Sequence, residues 1–192
     1  AKNRPNFHPL ISHIANAKAA FQLGVETDFA TVLANCFWPG PLTLVLDRTN
    51  DCPVAMLTTA GLDKIALRVP AHEQTQKLIA ICDMPIAAPS ANPSGRISPS
   101  TADHVYAGLA GKIELILDGG PCENGLESTI IDCSDEAPVL LRPGGISRGA
   151  IKTALHSAGL HCRLADAAAL SDRGQPVAPG QLQSHYAPDA RV

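Results

Sequence analysis

Residues 87–99, Ala-Ala-Pro-Ser-Ala-Asn-Pro-Ser-Gly-Arg-Ile-Ser-Pro, can be neither a helix nor a central strand. Pro89, Pro93 and Pro99 lack backbone N–H donors, and Asn92 and Gly95 favour turns. An apolar run ends at Ile86 just before this stretch, and a helix-like segment begins at Thr101 just after it. The fold must therefore carry a stiff, hydroxyl-rich loop at a strand end. Such a loop either holds a polar or anionic ligand or simply turns at the surface, and composition leaves both open.

Around this loop, strand-like and helix-like segments alternate. Short apolar runs at Leu10–Ile14, Leu42–Leu46, Lys64–Val69, Ile86–Ala88, Ile113–Leu117, Thr129–Cys133 and Val139–Leu141 read as strands. Helices are expected over Lys18–Gly24, Thr27–Phe37, His72–Asp83, Thr101–Leu109 and Ser147–Ala158. Thr27 and Ser147 are suited to N-caps and Gly159 to a helix stop, while Leu78, Ile79 and Cys82 supply the apolar positions of the third helix. Trp38-Pro39-Gly40-Pro41 forbids continuation of the second helix. This interleaving predicts an α/β (α+β) sheet protein.

The length of 192 residues allows one well-filled core, and with aromatics at only 4% that core must be built from Ala, Leu, Ile and Val. Periodicity fades from Leu164 onward, so 164–192 is expected to be a linker or arm. No repeat is visible. A net charge of −3 means that any nucleic-acid contact would rest on a local patch. The six cysteines form no Cys-x-x-Cys pair, which suits reduced thiols in the cytoplasm. No apolar run reaches transmembrane length, and no membrane partner is expected.

Several residues could carry chemistry. Lys2 and Arg4 put two cations beside Pro5, suited to phosphate oxygens or simply to a solvated terminus. His8 and His13 flank the first strand without metal-ligand spacing, so no metal site is assigned. Arg68 interrupts an apolar strand, and if buried it needs a carboxylate from a ligand or from the protein. Arg142 precedes Pro143-Gly144-Gly145, where a phosphate could approach closely or the chain could merely turn. Ser128 could donate to a ligand or satisfy local backbone. P-loop, dinucleotide-binding and hydrolase-elbow signatures are absent from the sequence. Residue by residue, the chain reads as an anion-binding α/β protein.

Taken in order, the segments resemble the YrdC-like threonylcarbamoyl-AMP synthases. The resemblance runs through Lys2-Asn3-Arg4-Pro5, Pro9–His13, Phe37–Leu46 and Leu67-Arg68-Val69-Pro70. It continues with Ala88-Pro89-Ser90-Ala91-Asn92, Ser94-Gly95, Ser98-Pro99, Leu117–Pro121, Glu127–Asp132 and Leu141–Gly144. Pro179-Gly180 and Ser184–Pro188 are similar to the linker of the longer family branch. The resemblance implies a YrdC/RibB-like fold: an open, twisted mixed sheet flanked by helices around a concave, positively charged cavity. It implies a catalytic domain over 1–163, incomplete at its N-terminus, and an arm over 164–192 leading to a second domain.

It also implies condensation of L-threonine, bicarbonate and ATP into L-threonylcarbamoyl-AMP with release of pyrophosphate. Mg2+ would accompany the ATP, with ligands unknown. A partner complex would then move the threonylcarbamoyl group to tRNA. On the family pattern Lys2, Arg4, Ser90 and Asn92 are catalytic. Arg4, His8, Lys64, Ser90, Ser98, Arg142 and Tyr186 line the nucleotide. His13, Arg68, Ala88 and Ser128 hold threonine, with Arg68 pairing its carboxylate. The competing reading is a non-catalytic RNA-binding module on the same fold, which would show steeply salt-dependent RNA binding without nucleotide turnover.

Overall fold

The computed structural model describes residues 2, 4 and 8–167. Its strands are β1 (Ile11–His13), β2 (Leu42–Asp47), β3 (Lys64–Arg68), β4 (Ile86–Ala88), β5 (Thr129–Asp132), β6 (Val139–Arg142) and β7 (Ala165–Asp166). The helices among these residues are α1 (Ala17–Leu23), α2 (Asp28–Phe37), α3 (Glu73–Cys82), α4 (Ala102–Leu109) and α5 (Arg148–Ser157). The strands form one seven-stranded sheet in the order β4-β1-β3-β2-β5-β6-β7. It is mixed: β1 runs parallel to β3, β2 to β5 and β6 to β7, while β1–β4, β2–β3 and β5–β6 are antiparallel. The α/β class expected from the interleaved segments and the mixed sheet implied by the resemblance are both present.

The helices start and stop for the reasons their sequences suggest. Thr27 Oγ1 accepts from the N–H of Ala30, and Ser147 Oγ from that of Ala150. Gly159 follows α5 in the left-handed region, with φ of +77°. After α2, the indole of Trp38 donates to Leu42 O at 2.8 Å and the N–H of Gly40 donates to Val69 O at 2.8 Å. The proline-rich corner is thereby tied to the start of β2 and the end of β3. A side chain at Gly40 would lie 2.4 Å from Phe37 O, so the corner closes only with glycine.

Side-chain alternation gives the sheet two unlike faces. Leu42, Leu44 and Leu46 of β2, Ile65 and Leu67 of β3 and Ile131 of β5 face Ala20, Leu23, Leu33, Ile151 and Leu155 of α1, α2 and α5. Ile11, Val45, Ala66, Ile130, Val139 and Leu141 form a smaller apolar cluster on the opposite face, against which Ala165 and Ala167 pack. The helix α3 contributes only Ile79 to the buried set; Leu78 is 43% exposed and Cys82 is also exposed, unlike the apolar face expected there.

Two other expectations fail. Residues 113–117 form no strand, and Leu115 and Leu117 are exposed. The alternation Ile113, Leu115, Leu117 supplies strand propensity, but a strand exists only by pairing, and no described strand pairs with it. Conversely, the sheet continues past the expected boundary at 163. Leu164 is buried and β7 pairs with β6 through Val139↔Ala165 and Leu140↔Asp166. A two-residue strand leaves no periodicity to read.

Leu44 is fully buried and sits opposite both Leu67 and Ile131. Leu44→Ala is expected to cost about 2–5 kcal/mol, read as a lowered urea midpoint with an unchanged slope.

Candidate functional site

The second face of the sheet becomes polar where several strand ends meet. His13 ends β1, Arg68 ends β3 and Ile86 begins β4, and the three are in register as His13↔Arg68 and His13↔Ile86. Residues 127–128 enter β5 beside the start of β2, and Arg142 ends β6 opposite Ile130. Loop 89–99 leaves β4 at Ala88, opposite Ile11 at the start of β1, and its far part returns to this end where Ser98 meets Glu127. Its Asn92 side chain donates to Pro93 O at 3.0 Å and to Arg96 O at 2.7 Å, so the loop is braced from within.

Lys2 docks onto this loop. Its Nζ donates to Ser90 O and lies 3.4 Å from Asn92 Oδ1, and the N–H of Ser94 donates to Lys2 O. Arg4 spreads its guanidinium over two carbonyls, His8 O at 2.7 Å and Pro9 O at 2.9 Å. Arg68 Nε donates to Gly40 O at 3.1 Å. Arg142 donates through Nε and Nη2 to Ser128 O and through Nη2 to Ser128 Oγ at 3.0 Å. Ser128 Oγ also meets Thr43 Oγ1 at 2.8 Å. Ser98 Oγ donates to Glu127 Oε1, and Glu127 Oε2 stands 3.5 Å from Arg142 Nη2. A cavity of about 320 Å3 opens beside these groups, lined in part by Ser90, Ser98, Thr101, Gly119 and Glu127.

Burial sets the electrostatics. It brings the Lys2 ammonium down to about 8, with the charge of Arg4 adding to the shift and that of Glu127 opposing it. His13 is held below the usual histidine range, first by burial and then by the Arg68 charge. Arg68 is lowered by burial and by Arg142, against which Glu127 acts. Arg4 is lowered by burial. The site is therefore a set of partly desolvated cations, with His13 biased toward neutral imidazole.

The expected residues are distributed as follows. Lys2, Ser90 and Asn92 are together; Ser98, Ser128 and Arg142 are joined through Glu127 and direct hydrogen bonds; His13 and Arg68 are strand neighbours. Arg4 and His8 adjoin the entry to β1, and Ala88 pairs with Ile11 in the sheet. Lys64 stands apart at the start of β3, where its ammonium lies 2.9 Å from Asp132 Oδ2 and donates to Ser134 Oγ. Tyr186 lies outside the described residues. Sequence reasoning gave no role to Glu127, because a glutamate before a strand reads as solvated. It read Gly144 as part of a turn or a phosphate approach, whereas a Cβ there would lie 2.3 Å from Glu127 O. Only the tertiary approach of the Pro143-Gly144 turn to residues 127–129 reveals either.

The family profile for Sua5, YciO and YrdC proteins, described as "Telomere recombination", matches residues 1–144. The chain belongs to the Sua5/YciO/YrdC family. It is 45% identical over 193 residues to the threonylcarbamoyl-AMP synthase of Pyrococcus abyssi (strain GE5 / Orsay), spanning 100% of this chain and 55% of that protein. It is 43% identical to the threonylcarbamoyl-AMP synthase of Bacillus subtilis (strain 168), spanning 99% and 54% respectively. The crystal structure of P. abyssi Sua5 complexed with L-threonine superposes with a TM-score of 0.87 at 44% identity, over 98% of this chain and 54% of that one. The chain thus spans about half the length of these Sua5 relatives.

An oxyanion arriving at the free site meets Lys2 mostly as an ammonium below about pH 8 and mostly as an amine above. Burial disfavours the charge in the folded state, so Lys2 lowers stability at acidic and neutral pH. That penalty fades as pH rises from about 8 toward 10.5. Affinity for inorganic pyrophosphate is expected to run the other way, falling by up to ~10-fold per pH unit above about 8. Titration calorimetry between pH 7 and 9.5 checks this, and Lys2→Arg should flatten the profile.

Proposed function

We propose that this family member, as the full-length protein, condenses L-threonine, bicarbonate and ATP into L-threonylcarbamoyl-AMP and pyrophosphate. It acts as a nucleotidyltransferase in the cytoplasm and feeds a complex that transfers the group to tRNA. The observation that carries the reading is the 45% identity to a threonylcarbamoyl-AMP synthase along the whole chain. It is joined by the contact of Lys2 with Ser90 and Asn92 and by the meeting of Ser98 and Arg142 at Glu127, next to a cavity that Ser90, Ser98 and Glu127 line.

The chemistry gives these residues work. Threonine amine and bicarbonate form a carbamate, whose oxygen must attack the α-phosphorus of ATP. Two anions resist that approach. Lys2 and Arg4, with the donors of Ser90 and Asn92, reduce the repulsion and stabilise charge on the phosphorus in the transition state. Ser98, Arg142 and His8 are assigned to the nucleotide. Arg68 takes the threonine carboxylate, with His13, Ala88 and Ser128 around it. A neutral His13 can accept or donate a hydrogen bond there without adding a further cation.

Lys64 and Tyr186 stay in the proposal as nucleotide contacts. Lys64 shares the face of β3 with Arg68 but stands at the strand's other end, so it would meet a different part of the nucleotide. Mg2+ enters as part of the nucleotide, on its phosphate oxygens. Among the described residues no three His, Cys, Asp or Glu side chains form a group that could hold a metal, so none is assigned as a ligand.

Pyrophosphate release measured on the full-length protein should require ATP, L-threonine and bicarbonate together; release indifferent to threonine or bicarbonate would defeat the reading. Arg68→Ala should raise the threonine concentration needed for half-maximal rate by ~10–100-fold, the scale of one charged hydrogen bond. The ATP requirement should move little. Equal loss of both would show that Arg68 holds the site's shape, not threonine.

A further inference from the structure

The amino group of threonine is the reactant that a cationic site repels. Brought between Arg68 and the nucleotide, an ammonium meets Lys2 and Arg142 as well. Among the described residues, the carboxylate that stands with these cations is Glu127. Its Oε1 accepts from Ser98, its Oε2 is 3.5 Å from Arg142, and its charge reaches both Lys2 and Arg68. The Glu127 side chain is 31% exposed and lines the cavity, so it presents itself to a ligand.

Its position is fixed by backbone. The carbonyl of Glu127 accepts from the N–H of Gly145 at 3.0 Å, and the chain at Gly144 passes too close for any side chain. The N–H of Thr129 donates to Pro41 O, and Thr129 Oγ1 is joined to Ile146 through both its O and its N–H. Glu127 thus contacts Ser98 and Arg142, assigned to the nucleotide, while its charge acts on Arg68, assigned to the amino-acid carboxylate. The amine must lose its proton and meet bicarbonate there, before the carbamate oxygen reaches the α-phosphorus.

We propose that Glu127 receives the α-amino group of the amino-acid substrate and takes the proton that carbamate formation requires it to lose. This rests on the synthase reading. The ammonium N–H bond breaks and its proton goes to a Glu127 carboxylate oxygen. The freed nitrogen pair forms the bond to the bicarbonate carbon. The C–OH bond breaks, and the departing hydroxide takes a second proton from nitrogen and leaves as water. Glu127 then returns its proton to solvent.

The test compares two ligands on the full-length protein by titration calorimetry: L-threonine, and 2,3-dihydroxybutyrate, which keeps the carboxylate and replaces the amine by a hydroxyl. The wild-type protein should prefer threonine by ~10-fold or more, the worth of a charge-assisted hydrogen bond. Glu127→Gln should abolish that preference while leaving the analogue's affinity and the melting temperature near wild type, and Glu127→Asp should restore part of it. Wild-type discrimination in Glu127→Gln would overturn the assignment, and so would equal weakening of both ligands, which marks a structural role. A wild-type protein that binds no threonine would instead sink the synthase reading, and this inference with it.

Discussion

Because successive side chains on a strand point to opposite faces, β2 and β3 must serve two environments in one register. Leu42, Leu44, Leu46, Ile65 and Leu67 are sealed under the helices. Thr43, Val45, Ala66 and Arg68 thereby turn to the other face, where Thr43 touches Ser128 and Arg68 reaches Gly40 O. A slip of one residue would put leucines into the cavity and Arg68 into the core. Burial of the apolar face and placement of the polar groups are therefore one constraint. β5 obeys it too, with Ile131 toward the helices and Ile130 and Asp132 away from them.

The cations of the site are aimed mainly by dipoles. Lys2 donates to Ser90 O, Arg4 to His8 O and Pro9 O, Arg68 to Gly40 O and Arg142 to Ser128 O. A backbone carbonyl fixes the direction of a guanidinium or ammonium without cancelling its charge, so attraction for an incoming anion survives. Lys64 shows the alternative. Its partner is the Asp132 carboxylate, itself 1% exposed, in a conventional ion pair at the other end of β3. Glu127 is the exception inside the site. One carboxylate distributed over Ser98, Arg142, Lys2 and Arg68 tempers the cluster without neutralising any single member.

What the chain announces is mostly local. Thr27 and Ser147 cap their helices, the Trp38–Pro41 corner ends α2, and the apolar runs of β2, β3, β5 and β6 become strands, because capping, proline sterics and alternation act within a few residues. What it conceals depends on partners distant in sequence. Residues 113–117 have strand chemistry and no strand beside them, whereas Ala165–Asp166 have almost none and pair with β6. Lys2 and Asn92 are 90 positions apart and meet only in the fold. The resemblance supplied their association, and nothing in charge or periodicity could have done so. Glu127 was invisible for the same reason: its identity as the site's carboxylate is a fact about Ser98 and Arg142.

Burying cations that lack dedicated carboxylates has an energetic consequence. The free protein holds Lys2 and Arg68 partly desolvated, and the downward displacement of both titrations records that cost. An oxyanion placed among them restores the charged forms and removes part of the penalty. Binding therefore gains from a strain that folding has already absorbed, as preorganisation requires. The large apolar core beneath β2 and β3 is what permits it, since Leu42, Leu44, Leu46, Ile65 and Leu67, all at 0% exposure, hold the strands in register whether or not the cavity is filled. A ligand that binds only the folded state adds to that stability by mass action. The same anion that relieves the cluster should thus also tighten the strand ends that carry it, coupling occupancy of the site to the rigidity of β1, β3 and the 89–99 loop.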